Sequence, residues 1–255
     1  MTQSTRTAII VAFFALIAAK AATADEAETR DVDDFSQVQF SVPFDVEFVS
    51  ADEPYVKLEG DADTIEEITT KVKGSTLRIG KDTSWFDWND EEVLITIGYT
   101  ELDAITLSGS GDGFAESIDA EEFKIRITGS SSMEVETMIT DELHISIAGS
   151  GDVEIHELEA DEVTSKIAGS GDISLAGRAV SQEVSISGSG DHDATELRTQ
   201  ETTASVRGSG DVGVWAESRL AASLVGSGDV RFYGNPELEE RIVGSGEMRR
   251  LGDEP

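Results

Sequence analysis

The sequence predicts an all-β fold, a right-handed parallel β-helix (solenoid) with about 20 residues per rung. Three observations carry that expectation. A Gly-Ser-Gly-Asp-like tetrapeptide recurs with its first glycine at 109, 129, 149, 169, 188, 208, 226 and 244, a spacing of 18 to 20 residues. The residue two positions before that glycine is always aliphatic: Leu107, Ile127, Ile147, Ile167, Ile186, Val206, Leu224 and Ile242. Beyond the tetrapeptide, apolar and polar residues alternate, as in Val153/Ile155, Ile173/Leu175, Val212/Val214 and Val230/Phe232. A period of two broken by glycine reads as strand, corner, strand. Two glycines per unit and many β-branched residues argue against helix. A rung of this length has room for about three short strands and three corners.

The elements follow in order along the chain. Residues 1–24 read as a signal peptide. Arg6 precedes an apolar run from Ala8 to Ala19, and Ala22-Thr23-Ala24 fits the small-residue rule for cleavage before Asp25. That run is short for a membrane span. The expectation is therefore an exported protein, in the periplasm or at the cell surface or beyond it, with no membrane span after cleavage. Residues 25–32 form an acidic linker in this reading. Residues 33–104 are β-patterned without the tetrapeptide and form a cap or irregular first coils; within them, "DADTIEEITTKV" fits either a single helical turn or the approach to a strand. Residues 105–250 are the repeat β-helix, and 251–255 a C-terminal tail.

Charge and composition exclude several functions. The 255 residues contain 52 acidic and 19 basic side chains, a net charge of −33, and no cysteine. Disulfides and thiolate metal sites are ruled out. Nucleic acid is an unsuitable partner, because its affinity comes from basic contacts to phosphate, and so is a bare anionic lipid surface. Such acidity suits cations, basic partners or solubility in salt.

The repeated tetrapeptide is expected to be architecture, since a catalytic loop is needed once. Its glycines allow positive φ and close backbone approach. Its serines, from Ser110 to Ser245, would stack as a hydroxyl ladder. Its corner acids are Asp112, Asp152, Asp172, Asp191, Asp211, Asp229 and Glu247, with Ser132 in the second repeat. Each is expected to accept a backbone N–H within its own turn and to line an exposed edge.

Calcium is the one ion that the glycine–aspartate chemistry leaves open. One carboxylate per rung is short of the six to eight oxygens calcium prefers, so no cofactor or metal is expected. His144, His156 and His192 occupy different offsets within the repeat and form no column. The aromatic group Trp85, Phe86 and Trp88, in "TSWFDWND", is the candidate ligand-binding feature. Its two readings are a hydrophobic plug over the solenoid end and an exposed platform for glycan or protein.

The order of "FDVEF…VKLEGD", "TLRIGK" and "VLITIGYTELDAITLSGSGD" before tandem "GSGD" rungs resembles the auto-transporter adhesin, head GIN domain family over about residues 33–250. The resemblance implies a right-handed β-helix, export to the envelope and an adhesive or surface role. The expected function is an exported, non-catalytic, adhesin-like binding module whose partner is a glycan or an envelope or surface protein. The alternatives are a polysaccharide-acting β-helix enzyme and a calcium-loaded structural spacer.

Overall fold

The structure, a computed structural model, describes residues 26–81 and 93–255. It is a parallel β-helix of about seven turns of roughly 20 residues. Six rungs make up its body: β9 (Gly113–Gly129), β10 (Ser132–Gly149), β11 (Asp152–Gly169), β12 (Ile173–Gly188), β13 (His192–Gly208) and β14 (Val212–Gly226). Each pairs in parallel with the next, with like columns in register, so Ile127, Ile147, Ile167, Ile186, Val206 and Leu224 are successive partners. Each rung is assigned as one strand of 15 to 18 residues rather than three short ones. Its bends between tetrapeptides largely keep their ladder bonds.

The inward columns make one continuous core. Leu107 to Leu224 in the aliphatic column are all 2% exposed or less, whereas Ile242 in the last rung is only partly buried. Burying one such side chain contributes about 1.5–3 kcal/mol. Some inward positions are polar: Ser165, Gln182, His192, Thr199 and Thr202 are all buried. Gln182 Nε2 lies 3.4 Å from His192 Nε2, and Thr199 and Thr202 share a 2.8 Å hydroxyl–hydroxyl bond. Burial pushes the His192 imidazole down to about 4, so it is neutral at physiological pH.

The N-terminal region belongs to the same stack, but not in chain order. β2 (Gln37–Phe40) lies between β6 (Thr76–Lys81) and β8 (Ala104–Gly109), parallel to both. Likewise β3 (Val46–Ser50) lies between β7 (Val93–Tyr99) and β9. The earliest coil is thus inserted between two later ones. Antiparallel strands cover the end: β4 (Tyr55–Gly60) pairs with β7, and β5 (Ile68–Lys73) with β6. This covers edges that would otherwise template pairing with another chain. The segment expected as an acidic linker is instead strand β1 (Glu26–Asp31), antiparallel to β4. Arg30 is one reason: its guanidinium donates to the carbonyls of Ile65 and Ile68, tying β1 to the helix end. That helix, α1 (Ala62–Glu67), is a short turn leading into β5, so "DADTIEEITTKV" contains both structures proposed for it. Asp61 starts it by accepting Thr64 N–H at 2.9 Å.

At the far end β15 (Val230–Tyr233), β16 (Glu237–Gly244) and β17 (Met248–Gly252) complete the last turns. β17 takes in Leu251 and Gly252 of what reads as a tail, because the pairing of Met248 to Arg250 with Val230 to Phe232 continues, past a register shift, to Gly252 with Tyr233. No helix among the described residues is long and apolar enough to cross a membrane.

Candidate functional site

The tetrapeptide corner resolves into backbone engineering. Its first glycine has φ between +120° and +141° in all eight copies. The second glycine does not have positive φ; its role is close approach. A Cβ on Gly171 would stand 2.0 Å from the carbonyl oxygen of Gly151. Each corner serine N–H donates to the first glycine's carbonyl one rung back, at 2.8–2.9 Å from Ser130 to Ser245. The serines themselves are exposed.

The corner acids work across rungs, not within their own turn. Asp152 Oδ1 accepts Asp172 N–H, Asp172 accepts Asp191, Asp191 accepts Asp211, Asp211 accepts Asp229 and Asp229 accepts Glu247, at 2.7–2.8 Å. Asp112 accepts Ser132 N–H in the same way. This corrects the expected Asx-turn. With rungs in parallel register, the N–H that needs an acceptor beside each carboxylate belongs to the following rung. Where Ser132 replaces the acid, Asp152 N–H goes to the carbonyl of Ser131 at 3.2 Å. The ladder begins one coil before the first tetrapeptide, since Asp45 of "SVPFD" accepts Asp112 N–H at 3.2 Å. Asp152, Asp172, Asp191 and Glu247 are exposed, while Asp112, Asp211 and Asp229 are half-buried. Asp211 also holds Arg231 through its other oxygen, at 2.9 Å. Trp85, Phe86 and Trp88 lie outside the described residues, as does the 1–24 segment.

A different surface emerges where the repeat is broken. Register shifts occur at 155–158 against β12, 174–176 against β13, and 194–201 against β14. The first drops one residue and gives the 19-residue step to Gly188, the second restores it, and the third drops two and gives the 18-residue step to Gly226. The shortened bends border a groove of about 530 Å³, lined among others by Ile139, Glu159, Arg178, Val180, Arg198 and Glu217. Ile139 and Val180 are 48% and 53% exposed. Arg178 pairs with Glu159 at 2.5 Å. Arg198 donates from Nε to Glu217 at 2.8 Å and lies over the Trp215 ring, 5.7 Å from its centroid. Gln200 donates to the other Glu217 oxygen at 2.5 Å. The Arg198 hydrogen bond holds the Glu217 carboxyl below the usual range, with Gln200 adding to it. The groove therefore offers fixed charges of both signs, an amide and two aliphatic contacts. Nothing in the tetrapeptide columns marks it; the signal available in the sequence was the spacing of 19 from Gly169 to Gly188 and of 18 from Gly208 to Gly226.

A parallel β-solenoid carrying a polar lateral groove is the class of molecule defined by these features. The chain belongs to the family described as "putative auto-transporter adhesin, head GIN domain", whose family model matches residues 34–236. Solved structures of the same fold include a putative adhesin from Parabacteroides merdae, with TM-score 0.85 and 21% identity, covering 89% of this chain and 95% of that one. A putative adhesin from Parabacteroides distasonis has TM-score 0.84 and 24% identity, covering 89% and 96%. A putative lipid binding protein from the same species has TM-score 0.82 and 24% identity, also covering 89% and 96%. At these identities the likeness shows the fold alone. Comparison with curated proteins found no match.

Proposed function

We propose that the protein is an exported, non-catalytic, adhesin-like module that binds an extended glycan chain in the lateral groove. The observation that carries this reading is the convergence of the repeat's register shifts on one surface. Function tends to break a regular pattern, and here the breaks border a groove running across several rungs. Arg178, Arg198, Gln200 and Glu217 supply donors and acceptors for hydroxyl-rich ligands, and Trp215 lies beneath Arg198. Membership of a family described as adhesin supports binding at a surface. The corner carboxylates support a non-catalytic reading, because each of the six hydrogen-bonded repeat aspartates gives an oxygen to a neighbouring rung.

The test is to incubate the purified protein with neutral and acidic polysaccharides, following both retention and release of new chain ends. Saturable binding without release is expected. The double variant Arg198→Ala with Val180→Asp should weaken it at least tenfold with an unchanged circular dichroism spectrum. Release of chain ends would favour the enzyme reading, and binding indifferent to the double variant would remove the groove from the account.

A further inference from the structure

We propose that Glu134, Glu136 and His156 form a binding site for a divalent first-row transition cation, with zinc the fitting probe. Glu134 and Glu136 lie on β10 and His156 on β11, so the site joins two rungs. One ligand atom from each lies within 4.8 Å of the other two, and all three residues are half-buried. His156 Nε2 is 2.9 Å from Glu134 Oε1. Ligands at 2.0–2.2 Å from zinc stand roughly 3–3.5 Å apart, so modest movement of the Glu136 side chain closes the set.

Two further observations point to a cation. Glu136 Oε1 is shut off from solvent and has no hydrogen-bond partner. A carboxylate oxygen in that condition is costly, and a metal ion would satisfy it. The other imidazole nitrogen, His156 Nδ1, lies 3.6 Å from Glu154 Oε1. At 3.6 Å this is a charge contact rather than a hydrogen bond, but a carboxylate on that side favours the Nδ1–H tautomer that leaves Nε2 for a metal. Two carboxylates and one imidazole suit an ion that accepts mixed N and O ligands, rather than calcium, which prefers oxygen alone.

The molecule carries its own control. Glu122, Glu142 and His144 form a similar group. There Lys124 Nζ already occupies Glu122 Oε1 at 2.6 Å, and His144 stands 3.6 and 3.7 Å from the two carboxylates. An ammonium ion at that oxygen competes with a metal, so this second group is expected to bind weakly.

Calorimetric titration of chelator-treated protein with zinc, at constant ionic strength and with excess magnesium present, tests the site. One tight zinc per chain is expected. His156→Ala and Glu136→Gln should each weaken it at least tenfold, while His144→Ala leaves it within twofold of the wild type. These residues face outward, and circular dichroism checks that each variant is folded. Absence of a saturable zinc site would overturn the proposal. So would a His156→Ala protein that binds as tightly as the wild type, or a site lost with His144 instead.

Discussion

Ile147→Asp is expected to lower stability by at least about 4 kcal/mol, read as a large drop in the urea midpoint. The side chain is 1% exposed and stacks between Ile127 and Ile167. Replacing it loses about 1.5–3 kcal/mol of apolar burial and puts a carboxylate where nothing pairs with it, which costs several more. Whole domains are stable by about 5–15 kcal/mol, so much of the protein should be unfolded under mild conditions. Ile242→Asp is the matched control. It occupies the same column in the partly buried last rung, and a solenoid's end unit is supported by a neighbour on one side only. Its effect should be less than half as large. Equal losses at 147 and 242 would contradict the core described here.

Gly188→Ala is expected to have an effect of comparable size through the backbone alone. At φ +141° an L-residue is strained, at about 1–3 kcal/mol. The added Cβ would also stand 2.1 Å from the Gly169 carbonyl oxygen. That oxygen accepts Ser189 N–H at 2.9 Å, so relieving the clash opens a ladder bond as well. Gly80→Ala in β6 meets nothing within 4 Å and has no positive φ, and it should change the midpoint little. Thermal or urea unfolding of the two variants side by side distinguishes a steric requirement at the corner from a general cost of losing glycine.

Much of the fold was legible because the tetrapeptide keeps its register. Counting from its first glycine places Ile147 and its column inward with no structural knowledge. The same arithmetic puts His192 in the column of Val153 and Ile173, and the structure does bury it. The order of the first coils was not legible. "SVPFD" at 41–45 occupies the corner position next to Ser108–Asp112, yet it has neither glycine, and only Asp45 betrays the match. Nothing local in the sequence states that residues 37–50 insert between 76–99 and 104–129; that is a long-range pairing choice. The cross-rung role of the aspartates was hidden for a related reason, since an Asx-turn and a ladder acceptor need the same residue. Comparing like columns also hid the histidine clusters. His156 meets Glu134 and Glu136 on the neighbouring rung, not another histidine in its own column. The groove arises from residues removed at one bend, visible in sequence only as spacings of 19 and 18.

The acidic tetrapeptide corner is scaffold, its carboxylates accepting backbone N–H groups of the next rung. Thermal unfolding in chelator, in micromolar calcium and in sodium chloride of matched ionic strength tests it most directly, with wild type, Asp172→Asn and Asp172→Ala compared. Calcium is expected to do no more than sodium, which stabilises by screening like charges over about 8 Å at physiological strength. Asp172→Asn retains an oxygen for Asp191 N–H and should melt near the wild type. Asp172→Ala should lose roughly 0.5–1.5 kcal/mol, the net worth of one such bond. A large rise in melting temperature in calcium alone, abolished equally by both variants, would contradict the account and make the corner a calcium site.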